Sequence, residues 1–170
     1  MKKLAVLICV LMLLAAPCAL AEANYTALCG GVPVLNVSYD PGVFSLDTES
    51  YLYSTMGDHY WLGMFYNGSD TVEFSADRYP DLNPGSDINQ LSAYLTAALA
   101  AEQCAPLEIY TNPGFISFAL FSLNGSMGPS YYAALLSQGY VVHFEIYNLR
   151  GGAGPEALNT LKTLLDGVRW

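Results

Sequence analysis

His143 and Glu145 stand two residues apart in YVVHFEIYNL, and residues at that spacing on a strand project from one face. An imidazole beside a carboxylate supplies a general base with its orienter, or two ligands of a metal site. Either chemistry needs a third group, and His59 is the one other histidine in the chain. The simpler reading is a polar pair on a half-exposed face. A serine nucleophile fares worse. NGSMG, Asn124 to Gly128, is one residue short of the G-x-S-x-G elbow. It also joins two expected strands, where the elbow requires strand to helix.

Oxygen ligands crowd the segment from Asp77 to Asp87, where Asp77, Asp81, Asn83 and Asp87 fall within one expected loop. Calcium is bound by loops of this kind, but Pro84 interrupts the turn, and the glutamate that closes an EF-hand loop is missing. The competing reading is helix capping and solvated acids. No cofactor motif is present, and no cofactor is expected.

Tyrosine is the better lead, with thirteen in the chain. Tyr51 and Tyr53 share one expected strand face, and Tyr131 and Tyr132 open an expected short helix. Tyr25 and Tyr79 fall in expected loops. Converging with Trp61 or Trp170, such rings would form a shelf for a protein, peptide or carbohydrate. Taken singly, each is better accounted for as half-buried on a strand.

The N-terminus, MKKLAVLICVLMLLAAPCALA, has a basic start, a short apolar run and a small-residue site at Ala19-Leu20-Ala21. That pattern is a bacterial type of secretory signal, with cleavage expected after Ala21 and a soluble extracytoplasmic product. Pro17 before Cys18 argues against a lipid anchor. Loss of Lys2 and Lys3 leaves four basic side chains against fifteen acidic ones, a net charge of −11. Nucleic acid and anionic lipid are poor partners for such a surface. Charged residues make up only 12% of the chain, about half the usual share, so neutral polar and aromatic groups must cover much of the exterior. Cys29 and Cys104 remain, and in an exported chain an even pair suggests a disulfide.

The elements that position these residues follow from patterning. Residues 22–33 read as an N-terminal arm before one domain over 34–170. Val34–Tyr39 and Val43–Leu46 are expected strands around the turn Asp40-Pro41-Gly42, and Tyr51–Met56 is another. HYWLGMFY, His59 to Tyr66, is apolar on both faces and reads as a central strand. Asn67-Gly68 turns it into TVEFSA. Ser86 is expected to cap a helix with Ile88, Leu91, Leu95, Ala98 and Leu99 on one stripe. LEIYTN, FISFALFSL and YVVHFEIYNL are further strands, with a helical piece at Tyr131–Ser137. Pro155 opens a final helix whose stripe is Leu158, Leu161, Leu165 and Val168. Strands, helix, strands, helix with short links predicts an α+β fold, an antiparallel sheet flanked by helices.

The ending GYVVHFEIYNLRGGAGPEALNTLKTLLDGVRW resembles the closing strand, loop and helix of the PsbP-like family. VSYDPGVFSL and the helix from Ser86 to Gln103 fall in compatible places. The resemblance implies an α/β/α sandwich and a binding or assembly role, with no shared catalytic set. The expectation is therefore an exported, non-enzymatic binding or scaffolding domain. The alternative is a small extracytoplasmic hydrolase or metal-dependent enzyme using His143, Glu145 and the acidic loop 77–87.

Overall fold

The computed structural model describes residues 22–49, 57–125, 128–148 and 150–170. In chain order the elements are β1 (Ala23–Cys29), β2 (Val32–Tyr39), β3 (Ser45–Asp47), β4 (His59–Asn67), β5 (Asp70–Asp77), α1 (Ile88–Ala98), a 3-10 turn (Ala100–Glu102), β6 (Ala105–Thr111), β7 (Ser117–Gly125), β8 (Gly128–Ser137), β9 (Tyr140–Asn148), α2 (Pro155–Leu165) and β10 (Val168–Arg169). The strands form two antiparallel sheets, one of seven strands ordered β3-β4-β5-β9-β8-β7-β6 and one of three ordered β1-β2-β10.

This overturns the expected α+β sandwich. Strands take 52% of the described residues and helices 18%. Two elements account for most of the change. Tyr131–Ser137, expected as a helical piece, is the body of β8, because Tyr131, Ala133 and Leu135 face one core while Tyr132 and Ala134 face the other. A segment apolar at every position satisfies a strand covered on both sides as well as a helix, and here the hairpin partners decide. The expected arm is likewise structured: Ala23–Cys29 pairs with β2, and Tyr25 reaches the main sheet through its hydroxyl, which donates to the Leu62 carbonyl at 2.5 Å.

The small sheet therefore takes a place where a helical layer was expected. Together with α2 it covers one face of the large sheet over Phe65, Phe74, Phe118, Phe144 and Ile146, all buried. Phe74 and Phe144 stack there at 4.3 Å between centroids. On the opposite face α1 lays Leu91 and Leu95 over Phe121, Tyr132 and Ala134. It lies above β7 and reaches β6 and β8, so the β4-β5-β9 portion of that face carries no helix among the described residues.

Local chemistry explains the joints. Asp40 accepts the Gly42 amide at 2.7 Å, making the expected tight turn, though β3 begins only at Ser45. Gly68 takes a positive φ of 59° in the β4–β5 hairpin. β4 is a near-edge strand, with His59, Tyr60 and Trp61 only half-buried, and not the doubly covered strand its composition suggested. The α1 cap is Asp87 and not Ser86: its carboxylate accepts the Asn89 and Gln90 amides at 2.8 and 2.9 Å, and Gln90 reaches back to the Asp87 amide. Gly167 lies so close to β2 that a Cβ would stand 1.7 Å from the Ser38 carbonyl oxygen.

Candidate functional site

Strict alternation in β5 sends Val72, Phe74 and Ala76 into the core and leaves Glu73, Ser75 and Asp77 on the face without a helix. β9 repeats the pattern, with Val142, Phe144 and Ile146 inward and His143, Glu145 and Tyr147 opposite. Register then sets the pairs: Glu73 faces Glu145 and Ser75 faces His143 across β5 and β9, while Tyr132 on β8 faces Glu145 from the other side. From β4, His59 faces Asp77 and Trp61 faces Ser75.

Two linked polar groups result. In the first, Asp77 Oδ1 lies 2.6 Å from His59 Nδ1, and its Oδ2 lies 3.5 Å from His143 Nδ1. The Tyr132 hydroxyl sits 2.5 Å from the same His143 nitrogen. Burial holds the His143 imidazole down at about 4 against the opposing pull of Asp77, and it raises Tyr132 well above its ordinary value. Both groups are neutral at pH 7. His143 is thus a buried, neutral imidazole held between Tyr132 and Asp77.

The second group is acidic. Burial, then the charge of Glu145, pushes Glu73 up to about 7. Burial also raises Glu145, opposed by the Ser130 hydroxyl, which donates to it at 2.7 Å. Glu102, from the turn after α1, joins Glu73, Glu145 and Ser130 around an open pocket of about 190 Å³. Its lining carries no basic side chain. Two desolvated carboxylates facing each other resist joint ionisation, so the pocket favours a shared proton or a cation.

The residues expected to act together mostly do not. Tyr131 and Tyr132 lie on opposite faces of the sheet, Trp61 packs edge-on to His59 at 4.7 Å, and Tyr51 and Tyr53 lie outside the described residues. Tyr25 packs in the large core, Tyr79 packs on Tyr94 of α1, and Trp170 is exposed. Of the acidic loop, Asp77 belongs to the histidine group, Asn83 accepts the Gly85 amide, Asp87 caps α1 and Asp81 is exposed. No group of three His, Cys, Asp or Glu side chains is arranged to hold a metal among the described residues.

Cys29 and Cys104 are both free thiols, so the expected disulfide is absent. Cys29 packs in the core beneath the small sheet and Cys104 beside α1. The seven-stranded sheet separates them, and no bond can span it without moving the backbone.

Glu73, Glu102 and Ser130 escaped the sequence reading. The alternation of TVEFSAD puts Glu73 on one face with Ser75 and Asp77, but only the pairing of β5 with β9 reveals Glu145 opposite. No helix of the described residues is long and apolar enough to cross a membrane. Comparison of the chain with protein-family models, with curated proteins and with solved structures gave no match, and so lends the PsbP-like resemblance no support.

Proposed function

We propose that this chain is an exported, non-enzymatic binding domain that captures a small organic cation in the pocket between Glu73, Glu145 and Glu102. The observation that carries the reading is the direct opposition of Glu73 and Glu145 on neighbouring strands, both desolvated, in a pocket with no basic side chain. A concave site with perturbed ionisable groups is where ligand recognition concentrates. An ammonium or guanidinium group would neutralise the pair and donate charge-assisted hydrogen bonds to it. The chain's net charge of −9 draws cations toward it.

Calorimetric titration with a panel of small primary amines and guanidines tests this. Binding that strengthens from pH 5 to pH 8, as Glu73 ionises, and that is lost in Glu145→Gln, supports it. No heat from any member at millimolar concentration defeats it.

A second reading has its own observation. A carboxyl near 7 beside another carboxyl is the arrangement that general acid–base hydrolases use. It moves the enzymatic alternative from His143 to Glu73 and Glu145. Turnover of chromogenic glycosides or esters that Glu73→Gln abolishes would favour it over binding alone.

A further inference from the structure

β6 forms one edge of the seven-stranded sheet and is seven residues long, against three for β3 at the other edge. Such an edge presents an unpaired row of amides and carbonyls, which proteins ordinarily blunt with charge or proline. Pro106 and the bulge between Pro106 and Glu108 blunt only its start. Leu107 and Ile109 are 45% and 39% exposed. The one charge, Glu108, is neutralised by Lys162 of α2 at 2.5 Å. Among the described residues, no strand pairs with the outer side of Leu107 to Thr111.

Beside this edge runs a groove of about 360 Å³. Asn89, Ser92, Ala93 and Thr96 of α1 form one wall, and Pro106, Leu107, Ile109 and the Lys162-paired Glu108 line the other. α1, with the sequence INQLSAYLTAA, has no charged residue. In a chain with fifteen acidic side chains, edge and groove together form a patch without unpaired charge.

We propose that this edge captures an extended, uncharged peptide segment of a partner by strand addition, its alternate side chains lying in the groove under α1. Backbone pairing supplies affinity in this mode, and pockets for alternate side chains supply selectivity. Spacing decides against a second copy of the chain. Strands lie about 4.8 Å apart, so with α1 above β7 an edge-to-edge dimer would hold its two α1 helices about 14 Å apart, beyond the roughly 8–10 Å of helix packing. The grooves between them would stay open. A single added strand runs directly alongside the groove, and the small residues of α1 leave room for its side chains.

The test uses a fluorescein-labelled heptapeptide of alternating valine and threonine, with blocked ends, and the same peptide with N-methylated amides. The expected result is anisotropy-detected binding of the first peptide, weakened about tenfold or more by N-methylation. Ile109→Lys and Ala93→Gln, both at solvent-accessible positions, should each weaken binding similarly while leaving the melting curve in place. Amide shifts in the nitrogen–proton NMR spectrum should fall on Leu107–Thr111 and on the α1 wall. Absence of binding at millimolar peptide, equal binding of the N-methylated form, or shifts confined elsewhere would overturn it. So would sedimentation showing a dimer that Ile109→Lys dissolves, since the edge would then belong to a second copy.

Discussion

Glu73 on β5 and Glu145 on β9 are direct cross-strand neighbours, and burial together with the charge of Glu145 makes ionisation of Glu73 more costly. Glu73 therefore binds its proton more tightly folded than unfolded. Between about 4.5 and about 7 the folded state holds more protons, so this contribution to stability falls as pH rises through that window and is gone above it. After allowing for solvent screening, the loss is about 1–2 kcal/mol. Glu73→Gln should be more stable than the parent at pH 8 and should flatten the slope, as urea unfolding at a series of pH values will show.

His143 acts with the opposite sign. Its folded pKa of about 4 lies below the ordinary 6.5, so the stability it protects is complete above pH 6.5 and is lost as pH falls toward 4. Tyr132→Phe leaves the His143 nitrogen without its 2.5 Å partner in a buried site. It should cost about 1–3 kcal/mol, measured as a lowered urea midpoint with unchanged slope.

Asn112 is buried under the end of α2. Its amide donates to the carbonyls of Leu165 and Val168 at 2.8 and 3.0 Å, and its oxygen accepts the Ile116 amide at 2.9 Å. One side chain thus ties the β6–β7 hairpin to the C-terminal turn. Asn112→Ala removes a hydrogen bond from each of three backbone groups, of which the Val168 carbonyl keeps Arg169 Nη1 at 2.7 Å, and should cost about 2–4 kcal/mol. Thermal unfolding checks it, and a loss below 1 kcal/mol would mean that the turn relaxes freely.

At Gly167 the added methyl of alanine would fall on the Ser38 carbonyl oxygen, which is backbone and cannot rotate away. The Ser38 amide donates to the Gly167 carbonyl at 2.8 Å, so the clash would also part β2 from the chain leading to β10. Gly167→Ala should destabilise by about 1–3 kcal/mol, with hydrogen exchange accelerated first in β10 and the paired part of β2.

The two thiols should behave independently. Burial raises the Cys29 thiol to about 11, and Cys104 is raised less, in a more open site. Iodoacetamide should alkylate Cys104 first in the native protein and Cys29 only on unfolding. A reductant should leave the melting temperature unchanged. A shift of several degrees would restore the disulfide.

Local chemistry could be read from the chain wherever a short segment contains its own cause. The Asp40-Pro41-Gly42 turn, the Asn67-Gly68 hairpin, the α1 stripe of Leu91 and Leu95, and Pro155 at the start of α2 all depend on neighbours within a few residues. Alternation likewise put His143 and Glu145 on one face. Tertiary structure decided the rest, because those outcomes depend on partners distant in sequence. Tyr131–Ser137 became a strand through pairing with β7 and β9. Cys29 and Cys104 were parted by the sheet between them. Glu73 met Glu145 only through a register linking positions seventy-two residues apart, and a one-residue slip would have turned either side chain into the phenylalanine core.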